Sequence, residues 1–343
     1  MRARERPHRL LATYIAALVA TVGAIAGLCL AINLLVDPLW FLRGNVITGV
    51  NFAFNERVAK MNRFLPRMKE FDCLIIGSSR ATLLPERQIR GHRCFNLAFS
   101  GGRINEFLLY GAYLRARGFA PSLLIVGVDP YNFFGPMPDP DVPDFIRTGT
   151  DPPSLLRSYL SLDALDFSIR ELEGDSPHHR YYDRDLNCRI VARPREYRPP
   201  IALTPLPDHA MAEVGRAALY AQLRKMFPTA RAIGYVPPVS AWTMARLSLA
   251  GDLDGYLTAL GRIAPAFDEF LDFGIPNTIT ATPADTYDGS HYSEAVNARI
   301  AAALQADDPG PGVDWHRLDG ESIAVLYRAR LDRLVLNVGR AGA

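Results

Sequence analysis

Residues 10–36 carry no charged side chain and are mostly Leu, Ala, Ile, Val and Gly. Such a run exceeds the roughly 20 residues an α-helix needs to cross a bilayer. A lone crossing segment must be helical, because only a helix satisfies its own backbone in lipid. Arg2, Arg4, Arg6 and Arg9 precede the run, against a single Glu5. The positive-inside rule then leaves the N-terminus in the cytoplasm and everything after Asp37 outside it. A cleaved signal peptide is the competing reading, with Ala24-Ile25-Ala26 as a cleavage-like site. The apolar run continues for ten residues beyond it, whereas signal h-regions span roughly 7–15 residues in all. Leu28 stands where a lipoprotein cysteine at 29 would need a small residue. The expectation is one uncleaved anchor in a bacterial-type cytoplasmic membrane, with a single-pass chain and a periplasmic or extracellular domain.

The chain has 343 residues, 49% hydrophobic, enough for one large core or two modest ones. Its 38 basic and 36 acidic residues leave a net charge of +2, spread along the chain. That distribution does not make the concentrated basic face of a nucleic-acid binder. Cys29, Cys73, Cys94 and Cys188 include no CxxC pair, which argues against zinc. Cys73 and Cys94 each open an apolar run, so buried free thiols are expected rather than a disulfide.

Trp40 follows the anchor at a depth where aromatics favour the interface. Residues 44–70 form a juxtamembrane segment with basic residues Arg57, Lys60, Arg63, Arg67 and Lys69. They are expected to be a solvated face, with lipid headgroups or an anionic polymer as possible contacts. Apolar runs then alternate with helical spacing. Cys73–Ile76, Cys94–Ala98 and Leu123–Val128 read as strands, and Ile104–Arg117 as a helix. Past a Pro-, Asp- and Arg-rich stretch at 136–210 come a helix at 211–227, a strand at Ala232–Val236, helix over 241–271, a short strand near Leu271–Phe273 and a helix from Ser293 to Leu304. Continuous apolar strands split by helices indicate a parallel sheet covered on both faces. The expected organisation is an anchor and interface at 1–43, the juxtamembrane segment at 44–70, a catalytic domain at 71–135 and 211–305, an insertion at 136–210, and a tail at 306–343.

In an open α/β sheet, ligands bind at the carboxyl ends of the strands. Ser79 lies just past the first strand, Gly101 past the second, and Asp288 and His291 past the last. A serine hydroxyl needs a base to become nucleophilic. His291 can be that base, and Asp288 can fix its tautomer. Backbone N–H groups of Ser79 and Gly101 can face a developing oxyanion. A second Asp-x-x-His, Asp175 to His178, lies in the insertion and is read as exposed loop with its neighbour His179. His92, His209 and His316 lack any such context.

Leu74-Ile75-Ile76-Gly77-Ser78-Ser79-Arg80 resembles the first block of the SGNH (GDSL-like) hydrolases. Asn96-Leu97-Ala98-Phe99-Ser100-Gly101 resembles their second block, whose glycine lends an oxyanion N–H. Asp288-Gly289-Ser290-His291 resembles the block that carries the Asp and His of their triad. Gly-Ser-Ser behind one anchor helix is most similar to the branch containing DltD and the alginate acetylation proteins. That resemblance implies a three-layer α/β/α sandwich (the flavodoxin-like SGNH fold) with a parallel sheet of about five strands. It also implies serine-dependent O-acyl transfer or ester hydrolysis on a cell-surface polymer, beside a membrane-bound O-acyltransferase, without metal or organic cofactor. The third family block supplies an oxyanion asparagine, and here Asn132 is near that place but off the usual spacing. A reduced oxyanion hole favours transfer to a positioned polymer over free hydrolysis.

Two other readings compete. One is a non-catalytic protein on the same fold, binding a polymer or an acyltransferase partner. The other is a phosphate- or nucleotide-binding flavodoxin-like module with Gly77-Ser78-Ser79-Arg80 as an anion nest. Outward placement and the lack of a Walker or GxGxxG pattern argue against the second.

Overall fold

Every apolar run between Cys73 and Phe273 that reads as a strand becomes one. The computed structural model describes residues 5–52, 54–176, 180–183, 188–190, 197–200, 203–205 and 212–341. Its strands are β1 (Cys73–Ile76), β2 (Cys94–Asn96), β3 (Leu123–Gly127), β4 (Arg180–Tyr182), β5 (Cys188–Ile190), β6 (Arg231–Val236), β7 (Glu269–Asp272) and β8 (Val313–Asp314). Six form one sheet, ordered β2-β1-β3-β6-β7-β8. Its first five strands run parallel, with Ile75 opposite both Asn96 and Ile125, and Ile125 opposite Ile233. The short β8 pairs antiparallel with β7 and comes from the tail, so the sheet has one strand more than expected.

The helices are α1 (Glu5–Val36), α2 (Glu56–Phe64), α3 (Ile104–Ala116), α4 (Asp144–Thr148), α5 (Leu155–Tyr159), α6 (Leu162–Glu173), α7 (Ala217–Met226), α8 (Ala241–Leu249), α9 (Leu253–Ile263), α10 (Glu294–Ala303) and α11 (Gly320–Ala341). Side chains alternate across a strand, so the sheet feeds two cores. Leu74, Ile76, Leu124 and Val126 pack with Phe107, Tyr110, Leu223 and Leu260 of α3, α7 and α9. Cys73, Ile75, Ile125 and Leu271 pack on the other face with Val296 and Ile300 of α10. The tail joins the first core through Ile323, Tyr327 and Leu331 of α11.

Two expectations are corrected here. Cys73 and Cys94 are not free thiols: they form a disulfide. Parallel register puts them directly opposite each other, Cα to Cα 4.2 Å, a closeness invisible in a spacing of 21 residues. Cys29 and Cys188 are free and buried. Nor is the juxtamembrane helix α2 simply a solvated basic face. Lys60 is buried, donating to the carbonyls of Asn96 (3.0 Å) and Ala98. Arg57 pairs with the buried Glu106 at 2.7 Å.

The 136–210 stretch is woven into the rest. Tyr182 of β4 bridges to Asn51 and donates to the buried Glu56 carboxylate of α2. Asn33 of α1 donates to the Tyr159 carbonyl (2.9 Å) and accepts from Ser168 (2.7 Å). The second Asp-x-x-His falls partly outside the described residues, which do not include His178, His179 or His209.

Candidate active site

The turn after β1 is shaped by a glycine. A Cβ on Gly77 would lie 2.7 Å from the Ala81 Cβ and 3.3 Å from the Gly127 Cα, so only glycine lets the chain leave the sheet between β3 and the following turn. Ser78 and Ala81 close that turn (2.9 Å), and Ser79 stands half-buried on it. Its Oγ lies 2.7 Å from His291 Nε2. His291 Nδ1 lies 2.7 Å from Asp288 Oδ2. Residues 212 positions apart are thus joined by the sheet topology.

The Asp288–His291 segment fixes its own geometry. Asp288 Oδ1 accepts from the backbone N–H groups of Ser290 (2.8 Å) and His291 (2.7 Å). Gly289 takes φ +80° to close the turn, and a Cβ there would meet the Tyr197 ring at 2.8 Å. Thr286 Oγ1 donates to the His291 carbonyl (2.7 Å), and the Tyr287 ring stacks on the imidazole at 5.5 Å. Ser293 then caps α10 by accepting from Val296. Burial raises the Asp288 carboxyl, but the hydrogen bond from His291, its charge and the two backbone donors outweigh that and hold it below the ordinary carboxylate range. An ionised Asp288 favours the Nδ1–H tautomer, which leaves Nε2 free to accept the Ser79 proton.

The second rim contribution comes from the β2 end. Phe99 N–H donates to the Gly77 carbonyl (3.1 Å), drawing Ser100-Gly101-Gly102 beside the Ser79 turn. Gly101 is exposed with φ +65°. The glycine required by close packing is its neighbour: a Cβ on Gly102 would lie 3.0 Å from the Gly77 carbonyl oxygen and 2.7 Å from the Phe107 ring. Gly102 N–H is committed to Phe99 O. Asn132 is buried after β3. Its Oδ1 accepts from Ile104 N–H at 3.1 Å, capping the start of α3, and its Nδ2 lies 3.4 Å from the Asp129 carbonyl.

Sequence reasoning passed over Arg180 and Asp129. Arg180 of β4 is 4% exposed in its side chain, and its guanidinium reaches the Ser79 carbonyl (3.1 Å), Thr82 Oγ1 (2.6 Å) and Ser100 Oγ. It faces Glu56 at 3.7 Å. Burial would raise the Glu56 carboxyl, but Arg180, Lys60 and bonds from Ser100 and Tyr182 hold it down at about 2. No periodicity marks Arg180 within its insertion. Arg80, next to Ser79, donates to Ser290 Oγ (2.9 Å) and sits 3.5 Å from the buried Asp129. Burial pushes the Asp129 carboxyl up, against the pull of Arg80, Ser78 and His291. Asp129 follows β3 directly, so the strand-end rule could have flagged it.

Comparison with protein-family models, curated proteins and solved structures finds no significant match. The arrangement supplies a hydroxyl, a base within hydrogen-bond reach of it, and a carboxylate orienting that base, the set required for nucleophilic acyl transfer.

Proposed function

We propose that this chain is an SGNH-type serine enzyme, anchored in the cytoplasmic membrane by α1, with its catalytic domain outside. It would transfer or hydrolyse O-acyl groups on a cell-envelope polysaccharide or glycopolymer. The observation that carries this reading is the 2.7 Å and 2.7 Å series from Ser79 through His291 to Asp288. Three others support it. The parallel strands follow the order β2-β1-β3-β6-β7, the 2-1-3-4-5 order of flavodoxin-like sheets, with helices against both faces, which we read as the three-layer SGNH sandwich. The Cys73–Cys94 disulfide fits an oxidising compartment. Residues 10–36 are long and apolar enough to cross a membrane.

In this mechanism Ser79 Oγ attacks the ester carbonyl carbon while His291 Nε2 takes the hydroxyl proton. The tetrahedral intermediate collapses to an acyl-serine, and the departing alkoxide takes that proton from Nε2. An acceptor hydroxyl, from glycan or water, then attacks the acyl-serine, gives its proton to Nε2, and Ser79 Oγ recovers it. Ser79 N–H and Gly101 N–H are the proposed oxyanion donors. Asn132 stands off the family's usual spacing, and its Nδ2 lies 3.4 Å from the Asp129 carbonyl, so we read the oxyanion hole as reduced. That favours an acceptor held in place, a polymer, over free water. A membrane-bound O-acyltransferase would be the natural acyl source.

The test is acyl turnover on O-acetylated envelope glycan by full-length protein, with intact-mass detection of an acyl-serine. Wild type should accumulate the adduct on Ser79 and change glycan acylation, and Ser79→Ala should do neither. A Ser79→Ala protein as active as wild type would refute the reading.

A further inference from the structure

The run 10–36 is longer than a membrane needs. Its 27 residues span about 40 Å as a helix, against a hydrocarbon thickness of about 30 Å. Residues 10–25 are exposed all round. From Cys29 onward a stripe turns inward: Cys29, Asn33 and Val36 are buried, with Leu30 and Leu34 packed beside Tyr159 and Phe167. The covering elements are α5 and α6. Ser161, which caps α6, lies at the level of Cys29, and Ser168 at the level of Asn33. So α6 climbs alongside α1, with its first turn deepest.

The outer face of this hairpin is apolar where solvent would demand polarity. Leu162 is 79% exposed, Ile169 45% and Leu172 43%, with Leu165 half-buried between them. Spacings of 3, 4 and 3 residues line these four along one side of α6. Leu156 (55%) of α5 and Leu160 (48%) just after it extend the patch at its deep end. The inner face of α6 (Ala164, Ser168, Glu171) is already occupied by α1 and the juxtamembrane segment. The outer stripe is therefore a second apolar surface, continuous with the bare flank of the anchor. Exposed Asp163 and Asp166 flank it, which places it at the hydrocarbon edge rather than at depth.

We infer that the α5–α6 hairpin lies in the outer membrane interface against α1, with Leu160 and Leu162 in the acyl boundary. The occupant of the stripe is lipid. The hairpin shields the polar Asn33 from lipid and, with α1, fixes the catalytic rim at a set height and tilt above the bilayer. This rests on the membrane-spanning reading of α1 but not on the serine chemistry.

The test uses the full chain alone in phospholipid nanodiscs, with a nitroxide on Leu162→Cys, Ile169→Cys, Val19→Cys or Glu321→Cys. Cys29 and Cys188 are buried and leave labelling to the introduced thiol. Collision rates with oxygen and with a water-soluble nickel chelate report lipid or water. Val19 should report lipid and Glu321 water. Leu162 should collide with oxygen several-fold more than with nickel, and Ile169 should fall between Leu162 and Glu321. Water-like values at 162 and 169 with lipid at 19 would overturn the hairpin inference, leave the anchor standing, and assign the stripe to a protein partner. Water-like values at 19 as well would remove the anchor on which the inference rests.

Discussion

The Nη1 of Arg180 lies 3.1 Å from the carbonyl oxygen of Ser79, so a residue of the insertion grips the backbone of the candidate nucleophile. The same guanidinium reaches Ser100 past the end of the neighbouring strand and faces Glu56 from the juxtamembrane helix. Three segments that look separate in sequence therefore meet under one turn.

Removing Arg180 strands a buried carboxylate. Arg180→Met is expected to cost about 3–5 kcal/mol in chemical denaturation, the usual penalty for breaking a buried pair from one side. The Glu56→Gln, Arg180→Met double variant should lose less than the two singles added together. Strict additivity would contradict the coupling. Arg180→Lys keeps the charge without the planar fork, so it should fold yet acylate Ser79 more slowly.

Asp288→Asn should leave the fold intact, because its two backbone acceptor bonds survive in the amide. It should cut turnover by about 10⁴-fold through loss of tautomer control, the size seen when a triad carboxylate is amidated in other enzymes. Steady-state ester hydrolysis measures this. A loss of less than tenfold would remove Asp288 from the mechanism.

The Cys73–Cys94 disulfide closes a loop across neighbouring strands. Replacing both by serine, or reducing the bond, should lower stability by about 2–4 kcal/mol. The change is read as a shift in the denaturation midpoint with and without reductant. Insensitivity to reductant in the wild type would mean that the thiols are not paired.

Glu171 introduces a pH dependence. It is 1% exposed, accepts from Phe52 N–H at 2.7 Å, and burial pushes its carboxyl up to about 9. A folded-state value above the unfolded one means that the folded state binds the extra proton. Its stability contribution is thus full below the ordinary carboxylate value near 4.5 and is lost as pH rises through about 9. Glu171→Gln should flatten the fall in stability across that window and be the more stable form at its upper end. A parallel pH profile in both proteins would contradict the assignment.

Much of the sheet was legible in the sequence because its strands are buried on both faces and read as unbroken apolar runs, as in Leu74-Ile75-Ile76 and Leu123 to Val126. The short β8 was not, since Val313-Asp314 has no run to read and exists only by pairing with β7. Ser79, Asp288 and His291 could be singled out because each follows a strand end or opens a helix. Arg180 could not, because its role depends on a long-range fold of a stretch of the insertion that itself has no periodicity. Lys60 and Arg57 misled for a related reason. Basic residues on a short helix ordinarily face water, but Glu106, Glu56 and the carbonyls of Asn96 and Ala98 help draw these two inward.

The most direct test of the account is fluorophosphonate labelling of the full-length protein, read by intact mass and peptide mapping, with Ser79→Ala and His291→Ala alongside. The triad geometry predicts a single adduct on Ser79 in the wild type, absent from the first variant and strongly slowed in the second. An adduct elsewhere, or none on protein whose circular dichroism shows it folded, would contradict the assignment of Ser79 as a nucleophile.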